Sequence, residues 1–162
     1  MGTFIISGTA LASFAGFVLV LWTPVSKGRA HKAWFMAWLL LVVHTIAAFH
    51  FVHHWSHQHA MFETARQTKE LTGINWAGGV YLNYVLIAVW GLDCPIQRST
   101  SRPASRWKTN AHLAAIWFLA FMWFNATVVF GGTSARFVGI IAFGALIWRW
   151  FTRSSANPVN QA

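Results

Sequence analysis

Carboxylates are nearly missing from this sequence: Glu63, Glu70 and Asp93 are the only ones in 162 residues, against 12 Lys and Arg. They stand on different segments, so spacing assembles neither a carboxylate dyad nor a Ser/His/Asp set, and metal-free catalysis is not expected. A cation transporter would carry an acidic group inside a span, whereas Asp93 lies at the edge of one. Cysteine is absent apart from Cys94, which excludes an intrachain disulfide and a Cys-based metal cluster. Charged residues amount to 9%, where a soluble domain carries about 25%. With 56% hydrophobic residues, that deficit excludes an ordinary soluble domain and points to lipid.

Apolar stretches fill the chain instead: Phe4 to Trp22, Ala33 to Phe51, Ile74 to Leu92, Ala111 to Phe130 and Ala135 to Phe151. Each is about the 17 to 25 residues that a helix needs to cross a bilayer. The expected fold is therefore an all-α membrane protein, one polytopic domain over residues 1–153 with five transmembrane helices. The alternative is four spans, with the short last stretch, ending in "WRWF", lying at the surface. Residues 154–162 read as a disordered tail. The opening "MGT" has no positive n-region, so the first stretch is expected to remain as an anchor and not to be cleaved as a signal peptide.

The net charge of +9 reports orientation and not a nucleic-acid partner. Lys27, Arg29, Lys32, Arg98, Arg102, Arg106, Lys108, Arg149 and Arg153 fall on one side of a five-span arrangement, leaving Arg66, Lys69 and Arg136 on the other. That asymmetry predicts a multi-pass protein of the cytoplasmic membrane, N-terminus outside and C-terminus in the cytoplasm. The segment "PIQRSTSRPASRWK" reads as a solvated basic loop. Of the 11 tryptophans, all but Trp117 and Trp123 lie near span ends, where indole rings anchor at the headgroups. Those two are the candidates for packing around a ligand. Gly8, Ala12 and Gly16 form a small-residue row that permits close helix packing, within the chain or in a dimer. The expected partners are thus the lipid bilayer and either a homo-oligomer or partner membrane subunits.

The stretch "HFVHHWSHQH", residues 50–59, holds five of the 8 histidines. From Trp55 to Leu71 there is no Gly or Pro, and Thr72-Gly73 suits a helix C-terminus. The second span is therefore predicted to continue outward, past the membrane, as one long or slightly bent helix. On it His50, His53, His54 and His57 share an arc of about 100°, with His59 and Glu63 nearby and Arg66 placed to pair with Glu63. Histidines three or four residues apart can ligate one metal ion from a single helix, so these six residues form the predicted site for Zn, Cu or Fe. A solvated or interfacial helix end and a pH sensor are the competing readings of the cluster.

Inside the spans, His44, Asn83 and Asn125 are polar at depth, where such groups face the bundle interior or a cavity, and they are the predicted cofactor-binding residues. Haem on His44 fits less well than a metal ion. Its one histidine partner on another span, His112, lies roughly 9 to 12 Å away in depth at 1.5 Å per residue. The plainer role for His44 is a hydrogen bond to Asn83 or to a backbone carbonyl.

"HFVHH" resembles the HxxHH box of membrane di-iron desaturases and hydroxylases, where several such boxes on different helices together hold two irons. Here there is a single box, on the predicted outer side, so the resemblance covers five residues and does not carry the activity. In size, five-helix count and Trp content the chain is also similar to the tryptophan-rich sensory proteins, which bind porphyrins and related ligands. The Pro/Trp-rich loop after their first helix is replaced here by "TPVSKGRAHKAW", and the resemblance is one of composition. The expected function is binding of a metal or redox cofactor through the outer-face histidines, with the reaction unknown. The alternative is a non-catalytic accessory or structural subunit of a membrane complex.

Overall fold

A computed structural model of the chain describes residues 2–22, 27–98 and 106–155. They form six α-helices and one π-helical turn: α1 (Gly2–Trp22), α2 (Lys27–Phe51), α3 (His57–Thr72), α4 (Gly79–Arg98), α5 (Arg106–Phe124), the π turn (Asn125–Val129) and α6 (Thr133–Ser155). Four segments, Gly2–Trp22, Gly28–Phe51, Arg106–Val129 and Thr133–Thr152, are long and apolar enough to cross a membrane. The all-α membrane fold expected from composition is thus the one observed. Among the described residues the long apolar stretch outside those four is α4, not the last helix; α4 packs on both α2 and α5. Residues 99–105, with Arg102, and 156–162, most of the expected tail, lie outside the described residues, and α6 runs as far as Ser155.

The most extensive helix pair is α1 on α2. Gly16 allows it, because a Cβ there would sit 2.8 Å from the Cβ of Ala37. One turn away Ser13 Oγ donates to the Ala37 carbonyl at 2.7 Å. Between helices that both face lipid, such close contacts and hydrogen bonds replace the hydrophobic driving force that water would supply. The small-residue row therefore acts within the chain at Gly16, whereas Gly8 faces open space.

Aromatic rings fill the core. Phe17, Trp34 and Trp90 are wholly buried, with Trp34 and Trp90 centroids 5.2 Å apart and Phe17 within 6.0 Å of each. This corrects the anchoring role expected of Trp34 and Trp90. An indole belongs at a headgroup only if its N–H needs water, and Trp34 Nε1 instead donates to Asp93 Oδ2 at 3.0 Å. Trp55, Trp76, Trp107, Trp148 and Trp150 are exposed. Trp123 is buried and Trp117 is exposed.

The predicted continuation of the second span does not hold. α2 stops at Phe51, and His54 and Trp55 adopt left-handed φ values of 47° and 60°. The N–H groups of His53 and Trp55 fold back onto the carbonyls of Ala48 and Phe49, closing the helix as left-handed C-caps do. Ser56 then caps a new helix, its side chain accepting from the His59 N–H at 3.2 Å. The turn lets α3 lay the Ala60, Thr64 and Thr68 stripe toward the bundle; Ala60 and Thr68 are buried, and Thr64 lies close against Gly79 of α4. A straight helix would have left that stripe in water. The other end is as expected: Gly73, at φ 78°, caps α3 by donating to the Lys69 carbonyl.

After α5 the chain widens into the π turn, where the Phe130 N–H reaches back five residues to the Asn125 carbonyl. Thr127 at its centre is buried, and Gly139 of α6 lies so close to it that any side chain at 139 would collide. Arg136 secures the following corner by donating to the carbonyls of Val128 and Val129.

Candidate ligand cavity

The bundle encloses a cavity of about 650 Å³ beneath α3, with walls from every helix and from the π turn. Its volume lies within the range of small-molecule sites, roughly 300 to 1,000 Å³. Polarity is graded. His53, Glu63 and Gln67 line the α3 end, His44 and Asn83 the wall, and Phe14, Leu41, Met122 and Trp123 the inner part. Four of the predicted site residues, His44, Asn83, His53 and Glu63, therefore meet in one place, although the sequence assigned them to two separate sites.

His44 Nδ1 lies 2.9 Å from the Ile6 carbonyl of α1. A carbonyl only accepts, so the ring N–H that meets it is on Nδ1, which leaves Nε2 as the ring nitrogen free to face a ligand. A carbonyl bonded in this way to the other ring nitrogen also orients ligating histidines in metal sites. A backbone carbonyl, and not Asn83, is thus the partner of His44. Asn125 stands apart, donating through Nδ2 to the Phe121 carbonyl at 2.8 Å, and it is not part of the cavity lining.

The histidine cluster disperses, which corrects the expectation of four imidazoles on one helix face. His50 Nδ1 accepts from Trp55 Nε1 at 3.2 Å, and its ring packs on Phe51. His54 occupies the left-handed turn. His57 stacks on Tyr84 of α4, with its Nδ1 3.1 Å from the phenol oxygen. Only His53 and His59 approach each other, at a ring separation of 5.6 Å, with Glu63 one turn beyond His59. Among the described residues no three His, Cys, Asp or Glu side chains gather to hold a metal ion. The break at His54 and Trp55 is the cause, since an arc counted at a fixed angle per residue holds only along one unbroken helix.

His53 Nδ1 is shielded from solvent and has no hydrogen-bond partner among the described residues. Burial holds the His53 imidazole below its ordinary pKa, the neighbouring His59 and His54 push the same way, and Glu63 opposes them. The Glu63 carboxyl is itself held below the usual carboxylate range, chiefly by its hydrogen bond from Arg66 at 2.7 Å. Arg66 also reaches Glu70 at 2.8 Å, so the expected Glu63–Arg66 pair is part of an exposed triad.

At the opposite end of the bundle the structure brings together groups that sequence reasoning treated separately. Asp93 of α4, 1% exposed, lies 2.9 Å from His112 Nδ1 of α5 and accepts from Trp34 of α2. A signal was present: Asp93 is the one acid next to an apolar run, and His112 sits at the same depth on the adjacent antiparallel stretch.

Fold and site together define a helical membrane-type protein with a ligand-sized cavity inside its bundle. No protein-family model, curated protein or solved structure matches the chain.

Proposed function

We propose that this is a multi-pass membrane protein that binds a redox cofactor or small organic ligand in the cavity beneath α3, with His44 and His53 meeting the bound molecule. The observation that carries this reading is the convergence of a carbonyl-oriented histidine and an unpartnered histidine nitrogen on one cavity of about 650 Å³. The asymmetry of Lys and Arg supports an arrangement with α3 and the N-terminus outside, the C-terminus in the cytoplasm and α4 as a fifth crossing.

A second reading is a single Zn, Cu or Fe ion at His53, His59 and Glu63; the two rings lie 5.6 Å apart, but the three side chains do not converge on one point as they stand and would have to draw together. That ion would require Glu63 to turn away from Arg66. Purified protein should be analysed for metals, by visible absorption and by extraction into organic solvent, in the native chain and in His44→Ala and His53→Ala. Bound material that is lost in both variants supports the cavity. Metal lost in His53→Ala and His59→Ala but kept in His44→Ala supports the second reading. The cavity reading would be falsified by bound material that both variants retain, or by none in any preparation.

A further inference from the structure

The cavity is not sealed on all sides. α1 and α6 meet where the Phe14 and Phe143 rings lie 6.0 Å apart. Toward the α3 end from there, Leu11 of α1 and Val138 of α6 both line the cavity, yet they are 55% and 43% exposed. Phe130, after the π turn, lines it too and is 43% exposed. These residues sit on or beside segments apolar enough to cross a membrane, so their exposed surface suits hydrocarbon better than water. The π turn contributes by displacing the chain at Ala126 and Thr127, both of which line the cavity.

The lining also restricts the chemistry of an occupant. No Lys or Arg lines the cavity among the described residues, and its one carboxylate, Glu63, is already paired with Arg66. A carboxylate or phosphate headgroup would therefore enter without a counter-charge, at a cost that a buried anion does not recover. An uncharged hydroxyl matches the polar groups that do line it, histidine ring nitrogens and the Asn83 and Gln67 amides, because it can both donate and accept.

We infer that the gap between Leu11 and Val138 is a lateral portal through which an uncharged, hydroxyl-bearing lipid enters the cavity from the bilayer, its head toward His44 and its chain against Phe14, Met122 and Trp123. This inference rests on the cavity being a binding site and names the ligand class and its route.

The test uses the full chain in phosphatidylcholine vesicles, with a diazirine-bearing long-chain alcohol as photolabel and peptide mapping as readout. Expected is saturable labelling of α1 near Leu11 and Phe14 and of α6 near Val138, displaced by unlabelled hexadecanol but not by palmitate. Narrowing the portal with Leu11→Trp and Val138→Trp should lower the initial rate of labelling about tenfold. Ile141→Trp, an equal enlargement of α6 at a residue that is 70% exposed and does not line the cavity, should keep it, and this arm controls for the larger side chain. His44→Ala should lower labelling without changing its position. Uniform, non-competable labelling, displacement by palmitate, or an undiminished labelling rate in Leu11→Trp and Val138→Trp overturns the proposal. Should that happen while the protein still retains a metal or cofactor that depends on His44, the cavity reading stands and only the lipid route falls. Absence of both overturns the two together.

Discussion

The Asp93 carboxylate of α4 lies 2.9 Å from His112 Nδ1 of α5, and Trp34 of α2 closes over the pair with a hydrogen bond of its own. Three helices are thereby tied at the end remote from the cavity. A buried carboxylate that loses a partner retains its desolvation cost without the compensating bond. His112→Leu should therefore destabilise the protein by roughly 3 kcal/mol, the low end for a buried pair because His112 keeps partial exposure. Asp93→Leu combined with His112→Leu should cost less than the sum of the two single changes, as measured by unfolding in detergent. Additive costs would show that the two side chains do not interact.

At the opposite end, His53 couples the protein to pH. Its folded pKa lies below the ordinary 6.5, so in the range between the two values the unfolded chain binds more protons than the folded one. Stability is then fully present above the unfolded pKa and falls as pH drops from 6.5 through the folded value. The midpoint of thermal unfolding should decline as pH falls below the ordinary histidine pKa of about 6.5, more steeply in the native chain than in His53→Gln. Parallel profiles would remove His53 as the cause.

Ser56 starts α3 and so holds the roof of the cavity. Ser56→Ala removes the acceptor for the His59 N–H and should cost about 1 kcal/mol. The loss should be local, seen as faster hydrogen exchange over the first turn of α3 with the bundle helices unchanged. Protection unaltered at residues 58–60 would mean that packing on α4 alone sets the start of this helix.

Gly16 sets the α1–α2 distance, since a Cβ there would meet the Cβ of Ala37 at 2.8 Å. Gly16→Ala should destabilise by about 1 to 3 kcal/mol, in the manner of other overpacked contacts. Ala37→Gly in the same chain should restore much of it. Gly8→Ala, with open space around it, should be neutral in the same unfolding assay.

Much of the secondary structure was legible because its causes are local. A run of apolar residues long enough to cross lipid has few options besides a helix, so α1, α2, α5 and α6 fall close to the stretches read from the sequence. The Gly73 cap and the Glu63–Arg66 pair are legible for the same reason, both being set within a single helical turn. His44 and Asn83 were recognisable as polar groups in apolar surroundings, and the cavity is where they meet.

The histidine stretch marks the boundary. Its membership in a helical region was determined by the sequence, because it has no Gly or Pro and Ser56 is a good cap. Two left-handed residues, His54 and Trp55, were decided only in the tertiary structure, where closing α2 lets α3 cover its stripe of Ala60, Thr64 and Thr68 against α4. That turn sent His50 and His57 to Trp55 and Tyr84 and brought His53 and Glu63 over the cavity that His44 already lined. Trp34, Trp90, Asp93 and His112 were likewise decided by packing between helices. The sequence determined a lipid-embedded helical chain through hydropathy and length, properties that each segment carries alone; which polar groups meet depends on how the segments cross, and no single segment carries that.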